Sequence, residues 1–303
     1  WERLFGVGIV KTSEDFGSQV EWPSHPNLLD WLAVEFVQPT ALPNLNGISA
    51  HSWDMKAMIK FIMLSKTYQQ SSSASESLYQ KDPDNRLLAR GPRLRLPAEI
   101  IRDQALASSG LLVPKIGGPS ARPYMPEKVW DETSTFGNLL NYKADQGDGL
   151  YRRSIYTIWK RTAAPPSMLL FDAPNREICM PKRSRTNTPL QALALLNEVT
   201  YVEAARALAE KMLSIESAKN SEDRLILGYR LATGSSPNAE TLSILQDGLN
   251  KRRKRFLENP EAAKSLINQG SSTSRSGLDE VELAAYTSTA NILLNLDRVI
   301  MKN

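Results

Sequence analysis

The stretch TPLQALALLNEVTYVEAARALAEKML, residues 188–213, decides the fold class. In T-P-L-Q the Thr188 hydroxyl is placed to accept the amide of Gln191 while the Gln191 side chain returns to the Thr188 amide. Pro189 carries a φ already suited to a first helical turn. Thr200 and Glu203 repeat the same capping-box spacing, so one helix is expected to end near Asn197 and another to start at Thr200. Toward the C-terminus further starts are signalled at Ser221, at Ser236 before Pro237 and at Asn259 before Pro260. Residues 188–303 therefore read as consecutive antiparallel helices, interrupted by GSSTSRSG at 270–277, a composition expected to be mobile.

Toward the N-terminus the periodicity stays helical. Pro26 suits a first helical position ahead of NLLDWLAVEF. Asp54 reads as the N-cap of a helix with Met55, Met58, Ile59 and Ile62 on one face. Pro97 opens a third helix in which Ile100, Ile101, Ala105, Leu111 and Leu112 recur near helical spacing, with Gly110 marking its fraying end. From Pro114 to Gly149 proline and glycine are too frequent for regular structure over much of the length. SIYTIW, residues 154–159, is the best strand candidate, and no fixed-period repeat occurs. The expected fold is mainly α, a bundle-like assembly of many helices with long Pro/Gly-rich loops and little β. Its parts are a helical 1–113, a loop-rich basic 114–187 and a helical 188–303, forming one composite domain.

Composition narrows the function classes. The chain has 303 residues, 41% apolar and 23% charged, with a formal net charge of +4. No apolar run reaches the eighteen residues of a membrane-spanning helix. One cysteine, Cys179, rules out an internal disulfide, a haem-attaching C-x-x-C-H and a cysteine-rich zinc cluster inside this chain, so neither haem nor metal is expected within it. His25 and His51, the two histidines, sit in turn-like contexts and read as caps or packing residues. Cys179, between Ile178 and Met180, reads as a small buried packing residue. KRRKR at 251–255 reads as a solvated helix face, so no nucleic-acid partner is expected.

The basic segment 152–185 is where binding is expected. Eight basic residues stand there against Asp172 and Glu177, an excess that repels itself unless carboxylates or an anionic partner offset it. Arginine presents a planar fork of donors suited to sulfate, phosphate or carboxylate, and Tyr156 and Trp159 could stack on a sugar ring or a guanidinium. The ligand-binding candidates are Arg153, Tyr156, Arg161, Arg176 and Arg185. An internal arginine–carboxylate network predicts the same residue types, and only geometry separates the two readings. Asp15 and Asp172 are weak candidates for acid–base chemistry on carbohydrate, Asp15 reading first as the partner of an arginine in 152–185 or as a helix cap. A third reading is a purely structural helical scaffold.

The segments TSEDFGSQ, WPSHPNLLDWLAVEF, SKTYQQSS, DPDNRLLARGPRLRLPAEIIRDQAL, GGPS, RRSIYTIWKR, FDAPNREIC and RTNTPLQALALLNE, in that order, resemble the C-terminal domain of large secreted planctomycete proteins. That domain is described as domain of unknown function 1553. The resemblance implies an extracytoplasmic location, periplasmic or secreted, and an upstream cytochrome-c-like region as partner. Haem would belong to that region and not to this chain. It also implies a setting in polysaccharide utilisation, which makes an anionic polysaccharide the expected ligand class of a binding or docking module. Between Val37 and Trp53 the chain reads QPTALPNLNGISAHS, longer than the link family members usually have.

Overall fold

The structure, a computed structural model, describes residues 1–41, 50–130 and 142–302. Most of the long link after Val37 and part of the loop after Trp130 lie outside the described residues. Among the described residues the chain is helical almost wherever it is regular: α1 (Glu2–Phe5), α2 (Pro26–Val37), α3 (Met55–Leu64), α4 (Glu76–Lys81), α5 (Ala98–Ser109), α6 (Pro166–Leu170), α7 (Pro189–Asn197), α8 (Val199–Ser214), α9 (Ser221–Thr233), α10 (Ala239–Glu258), α11 (Pro260–Ile267), α12 (Glu280–Leu294) and α13 (Asp297–Ile300). Among the described residues strand is confined to Leu94–Arg95 and Met301–Lys302. The fold is mainly α, as the periodicity requires.

The chain divides into two compact units. The first comprises Trp1–Leu94, Met180–Lys182 and Met301–Asn303, the second Arg95–Cys179 and Arg183–Ile300. Residues 113 and 114 both belong to the second unit. In the first unit buried apolar residues are few, among them Phe5, Ile9, Ala57 and Ile62. Polar ties do much of the holding there. The Arg86 guanidinium donates to the carbonyls of Gly8 and Ile9, and Asp82 accepts the amides of Arg86 and Leu87, both at 2.8 Å.

The second unit is built round α8. Every residue from Thr200 to Ala209 is buried, so α8 has helices or loops on all sides. It packs most extensively against α12, and buried alanines on both helices, Ala204, Ala205 and Ala209 on α8 and Ala284, Ala285 and Ala290 on α12, leave room for the two backbones to approach closely. α5, α7, α9 and α11 pack round the same pair. Gly228 of α9 takes part in this close packing, since a Cβ there would stand 2.6 Å from Met212 Sδ.

Several helix ends follow their local chemistry. Asp54 accepts the Ala57 amide at 2.9 Å, Asn259 accepts the Ala262 amide at 3.1 Å, and Gly110, at φ +83, closes α5 in the left-handed conformation, leaving Leu111 and Leu112 beyond the helix. Other ends differ from expectation. α8 starts at Val199, because the Glu198 carboxylate takes the Thr200 amide and hydroxyl and draws Thr200 inside the helix. α9 and α10 are capped by Asn220 and Asn238 in place of Ser221 and Ser236, each asparagine accepting the amide three residues on at 2.8 Å. SIYTIW is not a strand: Ser154–Tyr156 form a 3-10 turn, and Thr157 makes only an isolated bridge to Ala121. GSSTSRSG is tied down at its start, where Ser272 donates its amide to Glu203 at 2.6 Å and its carbonyl accepts from Arg206 at 2.8 Å.

Candidate functional site

The basic segment is laid out by a guanidinium outside it. Arg102 of α5 is buried, and its fork donates to the carbonyls of Leu150 at 2.6 Å and Arg152 at 2.9 Å and to Ser154 Oγ at 3.2 Å. Burial lowers its pKa, and Tyr201, Asp103 and Glu198 counter part of that effect. Asp103, next along α5, accepts the Ser154 amide at 2.7 Å. Two neighbouring helical residues thus fix the path of 150–154 and the 3-10 turn that presents Tyr156.

Arg152 faces inward. Its guanidinium is held by the carbonyls of Lys115, Gly117 and Pro119 and lies 4.0 Å from the Tyr156 ring centroid. Gly117 and Gly118, at φ +79 and +90, turn the backbone so that these carbonyls converge, while the Gly117 amide donates to Tyr156 Oη at 2.8 Å. The loop 115–119 therefore encloses a cation. One face of the Tyr156 ring is occupied by it.

The remaining basic residues divide. Arg183 donates to both oxygens of Glu99, at 2.8 and 3.0 Å, and is held internally. Arg153 keeps about half its side chain in water and reaches Asp103 only at 3.8 Å. Arg176 is exposed and lies 4.6 Å over the Trp159 ring, whose indole N–H donates to Asn175 O at 3.1 Å. Arg161 is exposed two residues after Trp159, with no bonded partner among the described residues, and Arg185 is exposed three residues before Thr188. Lys160 stands 5.1 Å over the Trp130 ring.

The carboxylate candidates are bonded locally. Asp15, in the first unit, accepts the Gly17 amide at 2.8 Å and is exposed. Asp172, in the second, sits at φ +61 and accepts the Thr186 amide at 2.6 Å and its hydroxyl at 2.9 Å. Thr188 accepts the Gln191 amide at 3.3 Å, but the Gln191 side chain does not accept the Thr188 amide in return; its Nε2 donates to Leu170 O and Thr186 Oγ1. Asp172, Thr186 and Gln191 form one brace joining the end of α6 to the start of α7. Among the described residues, no three His, Cys, Asp or Glu side chains gather to hold a metal ion.

Two features escape a reading of sequence. Glu203 and Arg206 of α8 are almost wholly buried; Glu203 accepts from Tyr151 Oη at 2.8 Å and Arg206 donates to Glu210 at 2.8 Å. The available signal was Glu203, Arg206 and Glu210 at helical spacing, a polar stripe inside an otherwise alanine-rich run. Cys179 is exposed and not a packing residue, because the segment after Arg176 runs along the surface with Ile178 and Met180 exposed beside it. KRRKR is solvated in part, but Arg253 turns onto Glu282 of α12 at 2.6 Å and Arg252 donates to Ser288.

Fold and surface together define a helical domain that carries an arginine- and tryptophan-bearing loop face on an alanine-packed core. The family described as protein of unknown function (DUF1553) matches residues 1–249, and the chain belongs to it. No curated protein and no solved structure matches the chain. No helix among the described residues is long and apolar enough to cross a membrane.

Proposed function

We propose that this chain is a binding module for anionic polysaccharide, with Arg153, Arg161, Arg176 and Trp159 as its contact residues. The observation that carries the reading is the Arg176–Trp159 stack. The indole is anchored through its N–H, so an exposed guanidinium lies beside a positioned aromatic ring, with Arg161 two residues on from that tryptophan in sequence. A sulfated or uronate sugar offers the complement, an apolar ring face for stacking and an equatorial anion for the guanidinium fork. Arg152 and Arg183 are assigned to holding the loops, which accounts for part of the charge without a ligand. In this reading the module works outside the cytoplasm beside a cytochrome-c-like region, a setting the family resemblance supports, and holds no haem itself.

The test is titration of the chain with a sulfated oligosaccharide and its desulfated counterpart. Arg161→Gln and Arg176→Gln should each weaken binding of the sulfated form several-fold and leave the melting temperature nearly unchanged. Arg152→Gln is the control for internal use and should destabilise the fold. Failure of the parent chain to bind either sugar, with all three variants changing stability alone, would establish the scaffold reading instead.

A further inference from the structure

The first unit carries an apolar groove of about 530 Å³ between α2 and α3. Leu29, Leu32 and Phe36 form one wall, Met55, Met58 and Ile59 the other. Soluble surfaces carry scattered apolar residues, but a contiguous patch of this kind marks a contact surface. Its outer edge is regular. Met55, Ile59 and Met63 recur every four residues along α3 and are 67, 45 and 43% exposed, and Lys56 and Lys60 repeat at the same pitch one position on. An apolar stripe therefore runs beside a lysine stripe on one exposed helix face. No acidic residue occurs in sequence between Asp54 and Glu76, and Arg3 lines the groove, which among the described residues has no acidic residue in its lining. Trp53, at the start of α3, is 66% exposed and Trp22 is 89% exposed.

We infer that the first unit docks through α3 and this groove onto the surface of an anionic lipid bilayer. Lysine stems lie along apolar surface while their ammonium groups reach the headgroup layer, and tryptophan favours that same layer. The helix would lie in the interface plane, its methionine and isoleucine stripe entering the acyl boundary. A second copy of the chain fits less well. A two-fold interface on α3 would set the lysine stripes of both copies against each other, with no acidic residue in the groove's described lining to relieve them. The inference concerns a different unit from the polysaccharide surface, so either can fail without the other.

The experiment is co-sedimentation of the chain with vesicles of pure phosphatidylcholine and with vesicles in which phosphatidylglycerol makes up about a third of the lipid. Binding is expected to the anionic vesicles only and to fall as salt rises. Lys56→Gln and Lys60→Gln should each weaken it about fivefold, the worth of one basic side chain near an anionic surface. Ile59→Gln should abolish it with an unchanged melting temperature, and if that variant unfolds the two lysine variants still decide. No sedimentation with anionic vesicles overturns the inference. So does equal binding to both vesicle types, or a concentration-dependent dimer that Ile59→Gln dissociates.

Discussion

Replacing Arg102 by Met tests the claim that one buried guanidinium organises the basic face. Methionine keeps the unbranched stem and removes all three donated bonds, to Leu150 O, Arg152 O and Ser154 Oγ. The serine hydroxyl can turn to another partner; the two carbonyls are fixed by the backbone. Each buried acceptor left without a donor costs about 1–3 kcal/mol, and relief of the arginine's own desolvation offsets part of it, so the net loss should be about 2–4 kcal/mol. For a unit of about 200 residues, in which 1 kcal/mol moves the midpoint by about 2–4 °C, the melting temperature should fall by roughly 4–16 °C. Urea titration followed by circular dichroism gives the free energy, and limited proteolysis should show faster cleavage within 146–157. Arg102→Lys separates charge from fork, since an ammonium on a flexible stem reaches one carbonyl well and should recover about half the loss. A loss below about 1 kcal/mol for Arg102→Met, or full recovery with lysine, would refute the organising role.

Thr188→Ala should cost about 0.5–1 kcal/mol, the low end for an N-cap because the bond is long at 3.3 Å, and Thr188→Ser should be nearly neutral in the same urea titration. Burial raises the Glu198 carboxyl above its ordinary value of 4.5, against the lowering effect of its bond to Thr200 and of Arg102. The folded chain then holds a proton the unfolded chain has released, so this contribution is complete below pH 4.5 and is lost as pH rises through the folded value. Glu198→Gln keeps an acceptor for Thr200 and should flatten the stability profile over that interval; an unchanged slope counts against the assignment. Lacking C-x-x-C-H, the chain expressed in a haem-maturation host should show no Soret band after denaturation, and a retained band would show covalent haem.

What was legible in the sequence is what a few consecutive residues determine. Asp54, Thr188 and Asn259 mark helix starts because a cap acts on an amide within the next three residues, and Pro26 because its ring presets the φ of a first helical turn. The second capping box failed for a physical reason of the same range: Glu198, two residues before Thr200, is a carboxylate and competes better for its amide. SIYTIW has strand composition but gains no ladder, since its neighbour is the irregular segment at Ala121 and its N-terminal end is held by Arg102 and Asp103. The burial of Arg102, Glu203 and Arg206 was not legible, because loops 48 to 69 residues distant in sequence fold over them.

The basic segment was legible as a concentration of charge, but charge counting assigned one role to residues that have several. What each guanidinium does depends on what the fold sets opposite it. Carbonyls turned inward by Gly117 and Gly118 enclose Arg152, Glu99 takes Arg183, and Asp103, already bonded to the Ser154 amide, leaves Arg153 a contact of 3.8 Å. An arginine surrounded by fixed acceptors is part of the scaffold, and replacing it strands those acceptors. Arg176 lies over an aromatic face and is exposed, with no acceptor among the described residues fixed around it in the way that three carbonyls surround Arg152. The same six-charge excess thus contains a structural subset, which carries stability, and a surface subset at Arg153, Arg161 and Arg176, on which an anion can act at little cost to the fold.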